Sequence, residues 1–191
     1  LHAALKEALG EHIEQQGSYV SSERLRLDFT HHQALTKEEV ASIENRVNGK
    51  IRENLEVVTD LMELEEAKAS GATALFGEKY GKKVRVLTMG SFSKELCGGT
   101  HVKRTGDIGG FAIVTETSIA SSVRRIEALT GRAFSSYVEG QRSKLSELSQ
   151  ILKVQPSQII EKSKELVVEV KNQSKLLETF RKDNLISYVS S

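Results

Sequence analysis

The sequence predicts an α+β fold, in which a mostly antiparallel sheet covered by helices is followed by an α-helical hairpin. Two observations support this prediction. Over residues 1–132, segments with apolar side chains at every second position are interleaved with segments whose apolar side chains recur every three or four positions. Over residues 133–191 only the helical spacing remains, and Pro156, the single proline, interrupts it. We therefore expect two domains with these boundaries.

The composition is that of a globular protein with a modest, aliphatic core. Charged residues make up 28% and aromatic residues only 5% of the 191 residues, which is enough chain for one full domain and an appendage. No apolar run approaches the roughly 20 residues that cross a bilayer, no signal-peptide pattern is present, and a single cysteine excludes an internal disulfide. We expect no membrane partner and a cytoplasmic location.

The first elements can be assigned in order along the chain. Residues 1–14 have the apolar spacing of a short helix, which residues 15–18 are expected to break. Residues 24–29 alternate apolar and polar side chains and predict a half-buried strand. Thr36 followed by Glu39 is the pattern of a capping box that begins a helix. The apolar side chains of this helix continue at helical spacing: Val40, Ile43, Val47, Ile51 and Leu55.

Shorter elements follow this helix. Residues 57–62 and 83–89 are predicted strands, and residues 64–69 form a predicted short helix between them. A hairpin-like link is expected at residues 80–82 and a fourth strand over residues 111–115, after two glycines. Strands and helices in this irregular order are typical of an α+β domain.

The tail contains two long helical runs joined at a proline-bearing turn, which predicts an antiparallel helical hairpin. Its apolar stripes can be covered in two ways, either by packing on the preceding domain or by a second copy in a dimerising coiled coil. The stripes consist of Phe134, Val138, Leu145, Leu148 and Leu152 in the first run, and of Ile159, Leu166, Val170, Leu177 and Phe180 in the second.

Residues 97–101 read Cys-Gly-Gly-Thr-His and contain the only cysteine of the chain. Thiolate and imidazole are zinc ligands, and the two glycines between them let the backbone fold tightly enough for both side chains to face one ion. The alternative interpretation is structural, because a lone cysteine is most often a small buried hydrophobe and a lone histidine a hydrogen-bonded residue.

Several runs together carry a resemblance to a known family. In chain order they resemble the editing domain of alanyl-tRNA synthetases, closely over about residues 1–133 and more loosely over the helical tail. The runs are Leu1–Leu5, Leu9–His12, Gln15–Ser18, Arg24–Phe29, Glu95–His101, Thr105–Gly109 and Val123–Ala128.

The resemblance implies a function. The editing domain of this family hydrolyses mischarged Ser-tRNA(Ala) or Gly-tRNA(Ala) at a zinc site that receives the acceptor end of tRNA(Ala). The parent enzyme ligates alanine to tRNA with ATP and magnesium in a separate aminoacylation domain. This sequence contains no ATP-binding motif, so we expect that domain to lie elsewhere in the parent enzyme. Two alternatives stay open: a stand-alone trans-editing deacylase, and a non-catalytic tRNA-binding or dimerising module in which Cys97 is structural.

The resemblance also implies site residues. Cys97 and His101 match a Cys-x-x-x-His pair that binds zinc, and Cys97, Gln15 and Arg124 are the expected catalytic residues. Gln15, Ser18 and Arg124 are the expected substrate-binding residues, with Arg124 neutralising phosphate or developing oxyanion charge. The competing interpretation of Gln15 and Ser18 is that they only end a helix and begin a strand.

The family's zinc site also uses a His-x-x-x-His pair on a helix, which this sequence lacks. His2 and His12 are ten positions apart, and His31 and His32 are adjacent, so neither pair can form a clamp at i and i+4. The chain begins with Leu1 rather than methionine, and the resemblance implies that both missing ligands precede it. We therefore expect a piece of a longer protein whose zinc site is incomplete and empty, and which does not edit by itself.

Overall fold

The computed structural model describes the backbone of residues 1–74 and 81–189, and side chains within these ranges up to residue 181. The described residues form seven strands and five α-helices, and the predicted α+β fold is confirmed. The link predicted at residues 80–82 begins outside the described residues. The elements are α1 (His2–Leu9), β1 (Gln15–Val20), β2 (Leu25–Thr30), α2 (Lys37–Glu53), β3 (Val57–Glu63), α3 (Leu64–Ala69), β4 (Lys83–Met89), β5 (Ser93–Leu96), β6 (Phe111–Ala120), β7 (Val123–Thr130), α4 (Gly131–Leu152) and α5 (Ile159–Val189).

The described strands form two antiparallel sheets rather than one. The first has the order β1-β2-β7-β6 and the second the order β3-β4-β5. β7 pairs with β2 on one side and with β6 on the other, so it is an inner strand of the larger sheet. The sequence pattern predicts neither β5, which has four residues, nor β7, in which adjacent Arg124 and Arg125 break the alternation of apolar side chains.

The first helix is shorter than predicted. α1 ends at Leu9, because Gly10 adopts a φ of 114°, in the left-handed region that favours glycine. Gln15 begins a strand instead of breaking a helix. The prediction of a helix up to residue 14, broken by residues 15–18, is therefore wrong.

The capping box at the start of α2 is confirmed. The hydroxyl of Thr36 accepts a hydrogen bond from the amide of Glu39 at 3.1 Å, and the Glu39 carboxylate accepts one from the amide of Thr36 at 2.8 Å. The helix ends at Asn54, whose left-handed backbone has a φ of 51°. Its apolar face is buried at Ile43 and Ile51, so α2 covers one face of the larger sheet as predicted.

The apolar residues are buried in two clusters. The larger cluster lies between α1, α2 and the four-stranded sheet, and its fully buried side chains include Leu5, Ile13, Phe29, Ile43 and Ile126. The smaller cluster joins α3 to the three-stranded sheet, and it consists of Ala67, Ala72, Val84, Val86 and Leu96.

An ion pair joins the two inner strands of the larger sheet. Asp28 on β2 is paired in register with Arg125 on β7, and the guanidinium donates to both carboxylate oxygens at 2.7 Å. The hydrogen bond from Arg125 lowers the pKa of Asp28, while burial of the carboxylate opposes the shift. The Arg125 side chain therefore has a structural role, because it joins β7 to β2.

The chain divides into two compact units, Leu1–Tyr137 and Val138–Ser191. In the second unit a short 3₁₀ turn at Pro156–Gln158 connects α4 to α5, as the proline predicts. Several apolar side chains of α5 remain more than half exposed, among them Val167, Val170, Leu177 and Phe180. None of the helices in the described part of the chain has the length and apolar character that a membrane span requires.

Replacing Thr36 with alanine should lower the free energy of unfolding by about 1 kcal/mol, because the amide of Glu39 loses its acceptor. Thr36→Ser keeps the hydroxyl and should remain close to the wild type. Urea unfolding followed by circular dichroism checks this expectation. Equal stability of the alanine variant and the wild type would contradict it.

Replacing Asp28 with asparagine should lower the free energy of unfolding at pH 7 by about 1 kcal/mol, a modest value because Arg125 is partly exposed and solvent screens the pair. The pKa of Asp28 is lowered in the folded state. Its contribution is therefore present above the unfolded pKa of about 3.9 and is lost as the pH falls through the folded pKa.

The difference between the wild type and Asp28→Asn should accordingly shrink below about pH 4. Urea unfolding of both proteins at pH 7 and pH 3 measures it. A difference that stays constant over this range would show that the carboxylate charge of Asp28 does not stabilise the fold.

Candidate functional site

The loop after β5 brings the two motif residues together. Leu96, the last residue of β5, is fully buried, and the next amide, of Cys97, donates to the carbonyl of Arg85 on β4 at 3.1 Å. The loop then turns back, so that Nε2 of His101 lies 3.2 Å from Sγ of Cys97. Cys97 is half-buried and His101 is exposed. This thiol–imidazole pair is thus accessible from solvent.

Arg85 and Gly99 shape the same loop. Nη1 of Arg85 donates to the carbonyl oxygen of Cys97 at 3.2 Å and also to that of Gly99. A β-carbon on Gly99 would lie 3.4 Å from Sγ of Cys97 and 3.9 Å from Nε2 of His101. Glycine at this position therefore leaves the space beside both donor atoms open.

The surroundings of the loop favour a neutral His101. Burial and then the positive charge of Arg85 lower the pKa of His101, while Glu95 opposes the shift. A neutral imidazole is the form that binds a metal ion.

His2 connects α1 to the strand that precedes the loop. Its Nε2 lies 3.3 Å from the carbonyl oxygen of Ile13, and its Nδ1 lies 3.7 Å from the carboxylate of Glu95. Burial raises the pKa of Glu95, but the imidazole of His2 and neighbouring positive charge outweigh it and lower the pKa to about 2. Both ring nitrogens of His2 thus face protein partners outside the thiol–imidazole pair.

The donor atoms of the thiol–imidazole pair suit zinc. Sulfur and imidazole nitrogen are its usual protein ligands, and zinc takes four ligands in a tetrahedron. Cys97 and His101 would hold the ion, since their donor atoms lie 3.2 Å apart beside the open space at Gly99. They supply half of a tetrahedral site.

Gln15 and Arg124 lie in one row of the four-stranded sheet. Gln15 pairs with Phe29 on β2, and Phe29 pairs with Arg124 on β7. Residues paired directly across neighbouring strands point to the same face. Ser18 lies further along β1, opposite Leu27, and is exposed. The structure therefore aligns Gln15 with Arg124 and leaves Ser18 nearer the solvent.

The predicted site residues are divided between the two sheets. Gln15 follows Ile13 by two positions, and the carbonyl of Ile13 bonds to His2, which also contacts Glu95 just before the loop. This chain of contacts brings the start of β1 close to the loop. Among the hydrogen bonds and ion pairs of the described residues, none joins Ser18 or Arg124 to the thiol–imidazole pair.

Arg124 is held by an acidic partner. Its Nε and Nη2 donate to the two carboxylate oxygens of Glu116 on β6, at 2.5 and 2.7 Å. Only 13% of the Arg124 side chain and 12% of the Glu116 side chain are exposed, and the hydrogen bond raises the pKa of the guanidinium. The charge of Arg124 is therefore compensated within the fold, and the carboxylate fixes its orientation.

The Thr-Gly-Asp sequence forms a structural turn. The hydroxyl of Thr105 donates to the carbonyl of Lys50 at 2.6 Å and accepts from the amide of Leu55 at 2.8 Å. A β-carbon on Gly106 would lie 2.5 Å from the side-chain oxygen of Asn54, so a larger residue here would force Asn54, at the end of α2, to move. This turn ties the segment after the loop of residues 97–101 to α2, which covers the larger sheet.

One group of potential metal ligands cannot be recognised from the spacing of residues along the sequence. His31 and His32 lie beside His12, and one nitrogen from each ring falls within 4.8 Å of the other two. The sequence excludes the pairs His2/His12 and His31/His32 only as clamps on one helix, in which the two ligands lie four positions apart. No local pattern indicates the cluster, because β1 and β2 separate His12 from His31 by 19 positions.

Comparison with known proteins agrees with this architecture. Residues 84–127 match the family described as "Threonyl and Alanyl tRNA synthetase second additional domain". The alanine–tRNA ligase of Legionella pneumophila (strain Corby) is 53% identical over 93% of this chain, and alanine–tRNA ligase 1 of Lachnoclostridium phytofermentans is 54% identical over 90%. The enzyme of Haemophilus influenzae (strain 86-028NP) is 51% identical over 93%.

These alignments cover 21%, 20% and 20% of the three relatives. The chain thus spans about a fifth of the length of the proteins it matches, and the matched domain contains the loop with the thiol–imidazole pair. The sequence identity over nine-tenths of the chain and the domain match agree with the fold and the loop geometry. We conclude that the chain is a segment of the alanine–tRNA ligase family.

Proposed function

We propose that residues 1–132 are part of the editing domain of an alanine–tRNA ligase, without its N-terminal portion, and that residues 133–191 are a helical appendage. The reaction of the intact domain is hydrolysis of the ester in Ser-tRNA(Ala) or Gly-tRNA(Ala). The observation that supports this most directly is the 3.2 Å approach of Cys97 Sγ and His101 Nε2, within the segment that matches the second additional domain.

The need for such an activity follows from the chemistry of the amino acids. Serine differs from alanine by one hydroxyl, and an apolar pocket rejects an added hydroxyl by only ~10²-fold. Hydrolysis at a second site removes the error. Gln15 and Ser18 are the polar side chains that we assign to the substrate's hydroxyl and ester. Arg124 lies in the same row as Gln15, and it would act on the substrate's phosphate or oxyanion only by sharing its guanidinium with Glu116.

Cys97 and His101 are the residues that would hold the zinc ion. When bound, zinc polarises a carbonyl oxygen, activates water or positions the substrate. The protein's own groups prepare this loop. Arg85 fixes the carbonyls on both sides of Gly98, and it helps to keep His101 neutral.

The wider functions are assigned to the longer protein. Its partner is the acceptor end of tRNA(Ala), its location is the cytoplasm, and alanine ligation with ATP and magnesium belongs to its aminoacylation domain. The matched relatives are ligases, which favours this assignment over a stand-alone trans-editing deacylase. The open thiol–imidazole pair favours it over a non-catalytic tRNA-binding module.

The second unit supports dimerisation as an additional role. Val170, Leu177 and Phe180 follow one another at helical spacing on α5 and are about 60% exposed, at 61%, 60% and 59%. Apolar side chains at such spacing are buried in coiled coils by a second helix. We therefore assign this stripe to contact with a second copy of the chain.

Replacing Cys97 with alanine in the full-length ligase should abolish the release of serine from Ser-tRNA(Ala) and leave alanine ligation intact, because one zinc ligand of the editing site is lost. The 191-residue chain alone should release no serine, since the loop supplies only two ligands. Release of radiolabelled serine from purified Ser-tRNA(Ala) measures both.

Glu65→Gln is a suitable control for this experiment, because Glu65 is 84% exposed on α3 in the same unit and should have no effect. Serine release at the wild-type rate by Cys97→Ala would refute the editing site. Loss of alanine ligation in that variant would instead indicate general misfolding, and circular dichroism separates the two.

A double substitution, Val170→Glu and Leu177→Glu, should shift the chain from dimer to monomer in sedimentation velocity at micromolar concentration, because it puts charge into the apolar stripe. Asn172→Glu adds a charge at an exposed position of the same helix that is neither three nor four positions from Val170, Leu177 or Phe180, so it should leave the dimer intact. A wild-type chain that sediments as a monomer would rule out the contact.

A further inference from the structure

Three histidines from two segments converge at one end of the four-stranded sheet. Nε2 of His12, from the connection between α1 and β1, lies 2.9 Å from Nδ1 of His31, which directly follows β2. The ring of His32 lies 4.9 Å from that of His31 and 6.0 Å from that of His12. One nitrogen of each ring lies within 4.8 Å of the other two.

The burial of these rings is unequal. His31 is only 4% exposed, while His12 and His32 are exposed. Nε2 of His31 is buried and has no hydrogen-bond partner among the described residues. The other ring nitrogen of His31, Nδ1, is the one that faces Nε2 of His12, so the buried ring contributes this nitrogen to the cluster. A ligand can reach the cluster between the two exposed rings.

The backbone holds the cluster firmly. The hydroxyl of Thr30 donates to the carbonyl of His12 at 2.7 Å, which fixes this turn against the end of β2. The amide of His31 donates to the carbonyl of Ser122 at 2.9 Å, and the ring of His31 stacks on that of Phe29. These contacts preorganise the rings on the rigid sheet rather than on a free loop.

The charges near the cluster are compatible with a bound cation. Burial, followed by the neighbouring rings of His32 and His12, lowers the pKa of His31, which keeps its imidazole neutral. Glu39 contributes negative charge on this side. Arg124 contributes positive charge, but its guanidinium is paired with Glu116.

We propose that His12, His31 and His32 form a second metal site, which binds a late first-row divalent cation such as Zn²⁺ through imidazole nitrogens alone. Imidazole is a preferred ligand of zinc, copper and nickel ions. Three nitrogens bound to one zinc lie about 3.4 Å apart at Zn–N distances of about 2.1 Å. Rotation of the two exposed rings closes the present spread of 4.8 Å to that value.

This site is independent of the proposed editing site. It uses none of the editing residues, and its three ligands leave a fourth position open to water or an exogenous group. The cation would also link the α1–β1 connection to the end of β2, because His12 lies on the first segment and His31 and His32 follow the second. Its loss would therefore loosen the segment that leads into Gln15 without removing a ligand of the Cys97 loop.

The test is a zinc titration of the metal-free 191-residue chain by isothermal titration calorimetry, with Co²⁺ absorption spectra to identify the ligands. Cys97→Ser should retain one zinc equivalent, and its Co²⁺ spectrum should show no thiolate charge-transfer band. In that background, His32→Ala and His12→Ala should each weaken binding at least about tenfold. Both histidines are exposed, so these variants should fold normally.

Two results would overturn the proposal. One is that the Cys97→Ser chain binds no zinc, or binds it only at millimolar concentration. The other is that binding in this background is unchanged by His32→Ala and His12→Ala. Failure of the editing assay would leave these titrations unaffected, so the two hypotheses can be rejected separately.

Discussion

The described residues bury their apolar side chains mainly in two clusters, and polar contacts between these clusters help to position the loop of residues 97–101. One cluster belongs to α1, α2 and the four-stranded sheet, and the other to α3 and the three-stranded sheet. His2 contacts Ile13 on one side and Glu95 on the other. Thr105 ties the following turn to α2 and to the connection after it. The loop at Cys97 keeps its position relative to β1 through bonds of this kind.

Two ion pairs between neighbouring strands also stabilise the larger sheet. Adjacent arginines on β7 point to opposite faces, and each meets a carboxylate on a neighbouring strand: Arg124 with Glu116, and Arg125 with Asp28. Because both pairs are bidentate, they fix the orientation of the guanidinium groups. Contact between Arg124 and a tRNA phosphate would therefore require that the phosphate share or displace Glu116.

Local patterns predicted much of the fold. The capping box at Thr36, the short helix over residues 64–69 and the turn at Pro156 depend on neighbouring residues, and all three are present. β7 was not predictable in this way, because its arginines are neutralised by residues on other strands. The division into two sheets likewise depends on pairing between distant segments.

The candidate sites can likewise be predicted from the sequence only where their residues are close together along the chain. Cys97 and His101 are four positions apart, and one tight loop is enough to join them. The alignment of Gln15 with Arg124 depends on the register of three strands, which only the folded sheet defines. His12 and His31 meet because β1 and β2 form a hairpin, and nothing in the composition of either segment indicates that a partner lies nearby.

The accessibility of Cys97 has a practical consequence. It is the only cysteine of the sequence, it is half-buried, and its sulfur lies 3.2 Å from the ring of the exposed His101. A thiol-directed fluorophore or spin label would therefore attach at one defined position, inside this loop. A reducing buffer is needed until that step, since oxidation of the thiol would prevent labelling.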